Sequence, residues 1–176
     1  AALVAQYIRE NDLTEQTGLT ARQLAQSLLM STAVPMYQDY GEGKYGYYSV
    51  MQQGAGLANV GAAVSAGTYI KMDKNANAGA ADGKVKVELG DDPGWSGSYD
   101  LDFRVENLGS DTLSYSMKAV LLRPDTAEQD GKTMVLASDV LIREVDLGSV
   151  SVPAGGTQVS RTVSLTASDI AAIRDL

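Results

Sequence analysis

The chain contains no cysteine and no histidine. Without cysteine there is no disulfide framework and no thiolate zinc site, and without histidine the commonest general base and the commonest transition-metal ligand are missing. Ser–His–Asp, Cys–His and zinc-hydrolase chemistry are therefore excluded within these 176 residues. Cysteine usage does not fix a compartment, because some exported proteins lack cysteine altogether. Positive charge is in deficit: 14 Lys and Arg stand against 22 Asp and Glu, a net charge of −8. Nucleic acid and anionic membrane surfaces repel such a chain before any specific contact forms, so neither is an expected partner. No apolar run approaches the roughly 18–20 residues of a membrane span, so no insertion by this segment is expected. The opening Ala1-Ala2-Leu3-Val4-Ala5 has no basic residues ahead of it and is too short for a signal peptide; it reads as a sequence entered in mid-helix.

What is present is a folding composition, 44% apolar with charges of both signs, and a change of texture near Gly67 divides it into two small units. Residues 2–11 combine helix formers with apolar side chains on nearly every side, Leu3, Val4, Ala5, Tyr7 and Ile8, which predicts a helix buried all round. Over residues 20–32, Thr20 as N-cap with Gln23 three positions on makes a capping box, and Leu19 and Leu24 can form the hydrophobic staple. Ala21, Leu24, Ala25, Leu28 and Leu29 then follow the spacing of one buried helical face. Pro35 prevents continuation, and the glycine- and tyrosine-rich stretch from Tyr37 to Tyr48 reads as an exposed loop. Gln53-Gly54-Ala55-Gly56-Leu57 predicts a turn, after which Asn59 caps a short helix ending before Gly67. Three helices and no long strand are expected before Gly67.

From Tyr69 the period changes to two. Val85 and Val87; Tyr99, Leu101, Phe103 and Val105; Leu113, Tyr115, Met117, Ala119 and Leu121; and Val159, Val163 and Leu165 alternate with polar neighbours, each run predicting a half-buried strand. Asp92-Pro93-Gly94, Asn107-Leu108-Gly109 and Pro153-Ala154-Gly155-Gly156 supply turns suited to an antiparallel sandwich. Residues 167–176 turn helical again.

The candidate chemical motifs resolve to structural roles. Asp73, Asn75, Asn77 and Gly79 imitate the opening of a calcium loop, yet glycine falls one place late and Lys84 occupies the position of the bidentate Glu, so no metal is assigned. Asp100 and Asp102 share one face of a strand as paired carboxylates can, but their alternation with Tyr99, Leu101 and Phe103 assigns them to the solvent side. Asp91 and Asp92 read as turn formers before Pro93. Trp95, beside Tyr99, offers an aromatic surface for a sugar or a partner, and its simpler role is to cover the end of the core. Gly54 and Gly56 have no following Lys-Ser/Thr and are no phosphate cradle. Catalytic, cofactor-binding and metal-binding residues are accordingly set at none.

Two segments, Leu24-Ala25-Gln26-Ser27-Leu28-Leu29-Met30-Ser31-Thr32-Ala33 and Gln53-Gly54-Ala55-Gly56-Leu57-Ala58-Asn59-Val60, together resemble the closing helix, turn and final helix of subtilisin-like serine protease domains. Ala1-Ala2-Leu3-Val4-Ala5 resembles the rear of the helix that begins with that family's nucleophilic serine. Farther on, Val85-Lys86-Val87-Glu88-Leu89-Gly90, Phe103-Arg104-Val105-Glu106-Asn107-Leu108-Gly109, Val152-Pro153-Ala154-Gly155-Gly156-Thr157 and Leu165-Thr166-Ala167-Ser168-Asp169-Ile170 resemble the fibronectin-III-like domain that follows the protease domain in cell-envelope subtilases such as lactocepins and C5a peptidases. Tyr37 to Tyr48 and an insertion from Asp125 to Lys132 match least.

The resemblance implies a mainly β chain with a helical N-terminal part: residues 1–67 as the last helices of an α/β subtilisin fold, and residues 68–176 as an antiparallel fibronectin-III-like β-sandwich stopping before its last strand. It implies a secreted or envelope-bound serine endopeptidase as parent, with nucleophile, base and oxyanion donor outside this chain, which then serves as scaffold and accessory domain. Expected partners are the remainder of the protease domain and its peptide substrate. The surfaces such a division leaves bare are expected to fold back on the sandwich or to pair with a second copy. Two rival readings are an adhesion or carbohydrate-binding module built on Trp95 and a structural envelope domain with no protease attached.

Overall fold

A computed structural model describes residues 2–39, 45–72, 83–87 and 89–174 of the chain. Among the described residues, five helices occupy the first part: α1 (Ala2–Glu10), α2 (Leu13–Thr17), α3 (Ala21–Ser31), α4 (Val50–Gln53) and α5 (Val60–Ser65). The capping box of α3 is formed: Gln23 N–H donates to Thr20 Oγ1 at 3.3 Å, and Thr20 N–H donates to the Gln23 side-chain oxygen at 3.0 Å. Asn59 likewise caps α5 by accepting from Ala62 N–H at 2.9 Å. Two elements are additional to the sequence expectation. α2 lies between Asp12 and Gly18, both left-handed, and at five residues is too short to show a period; α4 is a single turn.

The α1 expectation is corrected in one respect. Val4 and Ile8, one turn apart, are fully buried, whereas Leu3 and Ala5 face solvent, so this helix has one buried stripe. Val4 and Ile8 join Leu13, Leu19, Leu24, Leu28, Ala63 and Tyr69 in one core, with Leu108 packed on its margin. Tyr69 and Leu108 come from beyond residue 67, and hydrogen bonds also cross that point: Gln16 Nε2 donates to the Leu108 carbonyl at 2.9 Å, and Ile70 N–H to Ser31 Oγ at 2.8 Å.

The rest is mostly antiparallel β. Strands β1 (Tyr37–Asp39), β2 (Tyr45–Tyr48), β3 (Thr68–Lys71), β4 (Ser98–Asn107), β5 (Leu113–Gln129), β6 (Lys132–Val152) and β7 (Thr157–Ser164) form two sheets, ordered β1-β2-β6-β5 and β3-β4-β7, with α6 (Ala167–Arg174) after the last. A second core joins the sheets: Val105 and Val159 from one and Val152 from the other are buried together, with Phe103, Met117 and Val150 against them. On one side of this pair of sheets Thr68 Oγ1 and Tyr115 Oη bond at 2.8 Å; on the other, the Arg161 guanidinium reaches the Leu147 and Ser149 carbonyls at 3.0 and 3.1 Å.

Two expectations for this part are corrected. Tyr37 to Tyr48 is no loop at its ends, since Tyr37–Asp39 and Tyr45–Tyr48 pair with each other and Tyr47 and Tyr48 extend the sheet along Asp139 and Ser138 of β6. Val85 and Val87 form no strand. Residues 83–87 instead run past α3, where Ser27 Oγ donates to the Gly83 carbonyl at 3.2 Å and Val85 N–H to the Met30 sulfur at 3.4 Å. Asp125 to Lys132 is the tip of the long β5–β6 hairpin, closed by Asp130 and Gly131 at φ 53° and 71°. Pro124 is accommodated because β5 is an edge strand and its register shifts there.

Candidate functional site

The turn between α3 and α5 is built around Gly56. Val34 and Leu57 exchange two backbone hydrogen bonds, at 3.0 and 2.8 Å, which returns the chain across the end of α3. Gly56 has φ +114°, and a Cβ placed on it would lie 2.4 Å from the Val34 carbonyl oxygen, so a side chain is excluded by both conformation and space. Gln53 holds the opposite wall: its side-chain oxygen accepts from Met36 N–H at 2.7 Å and its Nε2 donates to the Tyr48 carbonyl at 2.5 Å. The buried Asp139 of β6 accepts from Val50 N–H at 2.8 Å, tying this turn to the long hairpin. The glycines at 54 and 56 thus serve backbone geometry.

Among the described residues no three acidic, histidine or cysteine side chains converge as a metal site would require. The stretch Asp73 to Gly79 lies outside the described residues. Asp100 and Asp102 are exposed on the outer face of β4, between the inward-turned Tyr99, Leu101 and Phe103, where the sequence pattern assigned them. Asp100 accepts from Thr162 Oγ1 on β7 at 2.7 Å.

Asp92 organises the loop before β4. One carboxylate oxygen accepts from Ser96 N–H at 2.7 Å, Ser96 Oγ at 2.9 Å and Tyr99 Oη at 3.0 Å. Hydrogen bonds from Ser96 and Tyr99 hold its carboxyl below the ordinary value against the opposing effect of desolvation, and the same contact raises the Tyr99 phenol. Trp95 sits in this loop with φ +52°, an uncommon conformation for a bulky residue. It is 37% exposed, and the Arg174 guanidinium lies 4.7 Å from its ring centroid, a cation–π contact that joins α6 to the loop. Trp95 is therefore neither a buried core residue nor a bare aromatic platform.

A third cluster went unnoticed in the sequence. Asp169, buried in the first turn of α6, receives Arg143 Nε at 3.1 Å and Nη2 at 2.7 Å. It also closes a reciprocal cap with Thr166: Thr166 N–H donates to the carboxylate at 2.8 Å and Asp169 N–H to Thr166 Oγ1 at 3.1 Å. Hydrogen bonding from Arg143 and then Thr166 brings the carboxyl down to about 2. The Thr-x-x-Asp spacing signals the cap; the arginine, 26 residues away, has no local signal.

Between the sheets lies a cleft of about 500 Å³, lined mainly by apolar side chains of β3, β4, β5 and β6. The Lys118–Glu144 ion pair, at 2.7 Å, is beside it. No protein-family model matches this chain, and no curated protein matches it in sequence.

Proposed function

We propose that the chain is a non-catalytic part of a secreted subtilisin-like serine endopeptidase, acting as scaffold and as accessory domain beside the catalytic centre. In that reading the protease-like helical part spans residues 1–67, and a fibronectin-III-like sandwich begins at residue 68. The parent would cleave peptide bonds by serine attack, histidine base catalysis and an oxyanion hole, none of which this chain supplies. The observation that carries the reading is the ordered run from Leu24 to Val60, because a capped helix, a turn that admits only glycine at position 56, and a helix capped by Asn59 follow one another as in the resembled family. An extracellular or envelope location belongs to the same proposal.

The test is a fluorophosphonate probe applied to the isolated chain and to the product of the full reading frame upstream of Ala1. The isolated chain should remain unlabelled, and the longer product should carry one label on a serine ahead of Ala1. A labelled serine within residues 1–176, or an upstream frame with no reactive serine, would overturn the reading. A stand-alone sugar-binding module draws support from the partial exposure of Trp95 beside Tyr99. Quenching of Trp95 fluorescence by oligosaccharides, lost in Trp95→Ala, would favour it.

A further inference from the structure

We propose that the turn from α4 to Leu57 and the outer end of the β5–β6 hairpin together form a docking surface for a second copy of this chain. The inference goes beyond the scaffold reading and does not depend on it. Hydrogen bonds mount the two segments side by side. Ser49 N–H donates to the Ala137 carbonyl of β6 at 2.9 Å, the Gln53 side chain at the end of α4 accepts from Met36 N–H at 2.7 Å, and Leu57 is bonded to Val34 through the backbone. The strip so joined carries Val34, Val50, Met51 and Leu57 on the turn side and Met134, Val135 and Leu136 on the hairpin. These are seven of the fourteen large apolar side chains exposed among the described residues, Met51 at 91% and Val135 at 68%. Met134 and Val135 are successive residues of β6, paired with Ala127 and Thr126, and so point to opposite faces of the ribbon. A ribbon apolar on both faces is satisfied by a partner that clasps it.

Charge, area and symmetry select the occupant. The chain is 20% charged, yet no Asp, Glu, Lys or Arg occurs in residues 23–38, 49–70 or 133–138, the stretches that build the strip. Two molecules of net charge −8 repel one another, and a neutral surface is where they can meet without setting like charges together. Depletion of charge with methionine among the apolar residues is also the composition of an interface core. In exposure the seven side chains amount to about four fully bare ones, or about 250–500 Å² of apolar surface at about 60–120 Å² each. An interface of about 800 Å² per partner, a little over half of it apolar, needs about 450 Å². The strip supplies an area of that order without any added element. A two-fold axis then sets the hairpin of each copy against the turn of the other and closes the assembly at two.

Sedimentation velocity of the whole 176-residue chain, over about 1–100 μM, tests the proposal. A monomer–dimer equilibrium is expected. Raising salt from about 0.05 to about 0.5 M should leave it unchanged or tighten it, because the long-range charge effect between two copies is repulsion. Met51→Glu and Val135→Lys alter side chains already in water, so circular dichroism and melting temperature should hold while each weakens dimerisation at least about tenfold. Val135→Lys should do so even though it reduces the net negative charge. Tyr115→Lys is the control: it replaces another exposed apolar residue, about 35 Å along β5 from Thr126, and should leave the dimer intact. A chain that stays monomeric up to about 100 μM would overturn the assignment and leave the strip to a different polypeptide. Open-ended growth, dimers undiminished by Met51→Glu and Val135→Lys, or dissociation by added salt would each overturn it as well.

Discussion

Substituting Gly56 by alanine, with Gly54→Ala as internal control, isolates the turn that joins α3 to α5. Both glycines have positive φ, +60° at Gly54 and +114° at Gly56, but a Cβ at Gly54 meets nothing within 4 Å whereas one at Gly56 would lie 2.4 Å from the Val34 carbonyl oxygen. Holding a non-glycine residue in such a region costs about 1–3 kcal/mol, and both variants carry that term. Gly56→Ala must in addition push back the Val34 carbonyl, which accepts from Leu57 N–H at 2.8 Å, and disturb the reciprocal bond at 3.0 Å. Each hydrogen bond contributes about 0.5–1.5 kcal/mol, so the Gly56 variant should be less stable than the Gly54 variant by about 1–3 kcal/mol. At about 2–4 °C per kcal/mol for a chain of this size, the melting temperatures should differ by about 2–12 °C. Differential scanning calorimetry of the two variants reads this gap directly. Coincident melting temperatures, with the Val34 and Leu57 amides protected from hydrogen exchange in both, would refute the steric argument.

Asp169 predicts an acid-sensitive contribution to stability. Its carboxyl is held near 2 in the folded chain against an ordinary 3.8, so the stabilisation is complete above about pH 4 and is lost as pH falls toward 2. Urea titrations of wild type and Asp169→Asn should converge over that interval, and parallel pH profiles would sink the assignment. Burial, reinforced by the Glu106 carboxylate and opposed by Arg104, raises the Tyr69 phenol to about 12. Because the unfolded phenol ionises near 10, its contribution is present below pH 10 and lost as pH climbs toward 12; ultraviolet titration should show a tyrosine ionising near 12, and Tyr69→Phe should remove that contribution. Asn107 is buried, donates to the Asp111 and Val152 carbonyls at 2.8 and 3.0 Å, and accepts from Gly109 N–H at 2.8 Å. Asn107→Ala should therefore cost about 1–3 kcal/mol in chemical denaturation, and a loss below about 0.5 kcal/mol would contradict its role as a tie between the sheets.

Local chemistry made part of this architecture legible without coordinates. Thr20 with Gln23 and Asn59 ahead of Val60 mark helix starts through hydrogen bonds closed within three residues. The alternation from Tyr99 to Val105 marks a strand with one wet face, because side chains point to opposite sides at every step. The absence of histidine and cysteine excluded whole classes of chemistry by counting alone. Tertiary structure decided the remainder. Tyr45–Tyr48 gains its place in the sheet from a partner about 90 residues away on β6, and Tyr37–Asp39 from pairing with Tyr45–Tyr47 in turn, which no local pattern of tyrosine and glycine announces. Val85 and Val87 have the alternation of a strand, but their segment runs past α3, where the Gly83 carbonyl accepts from Ser27 Oγ and Val85 N–H donates to the Met30 sulfur instead of to a ladder. Long β6, for which no strand was expected, has bulged register against β5, which breaks the period of two that reveals shorter strands. The Arg143–Asp169 pair and the inter-sheet cleft are likewise products of sheet order and register, properties of pairing between distant segments and not of any one of them.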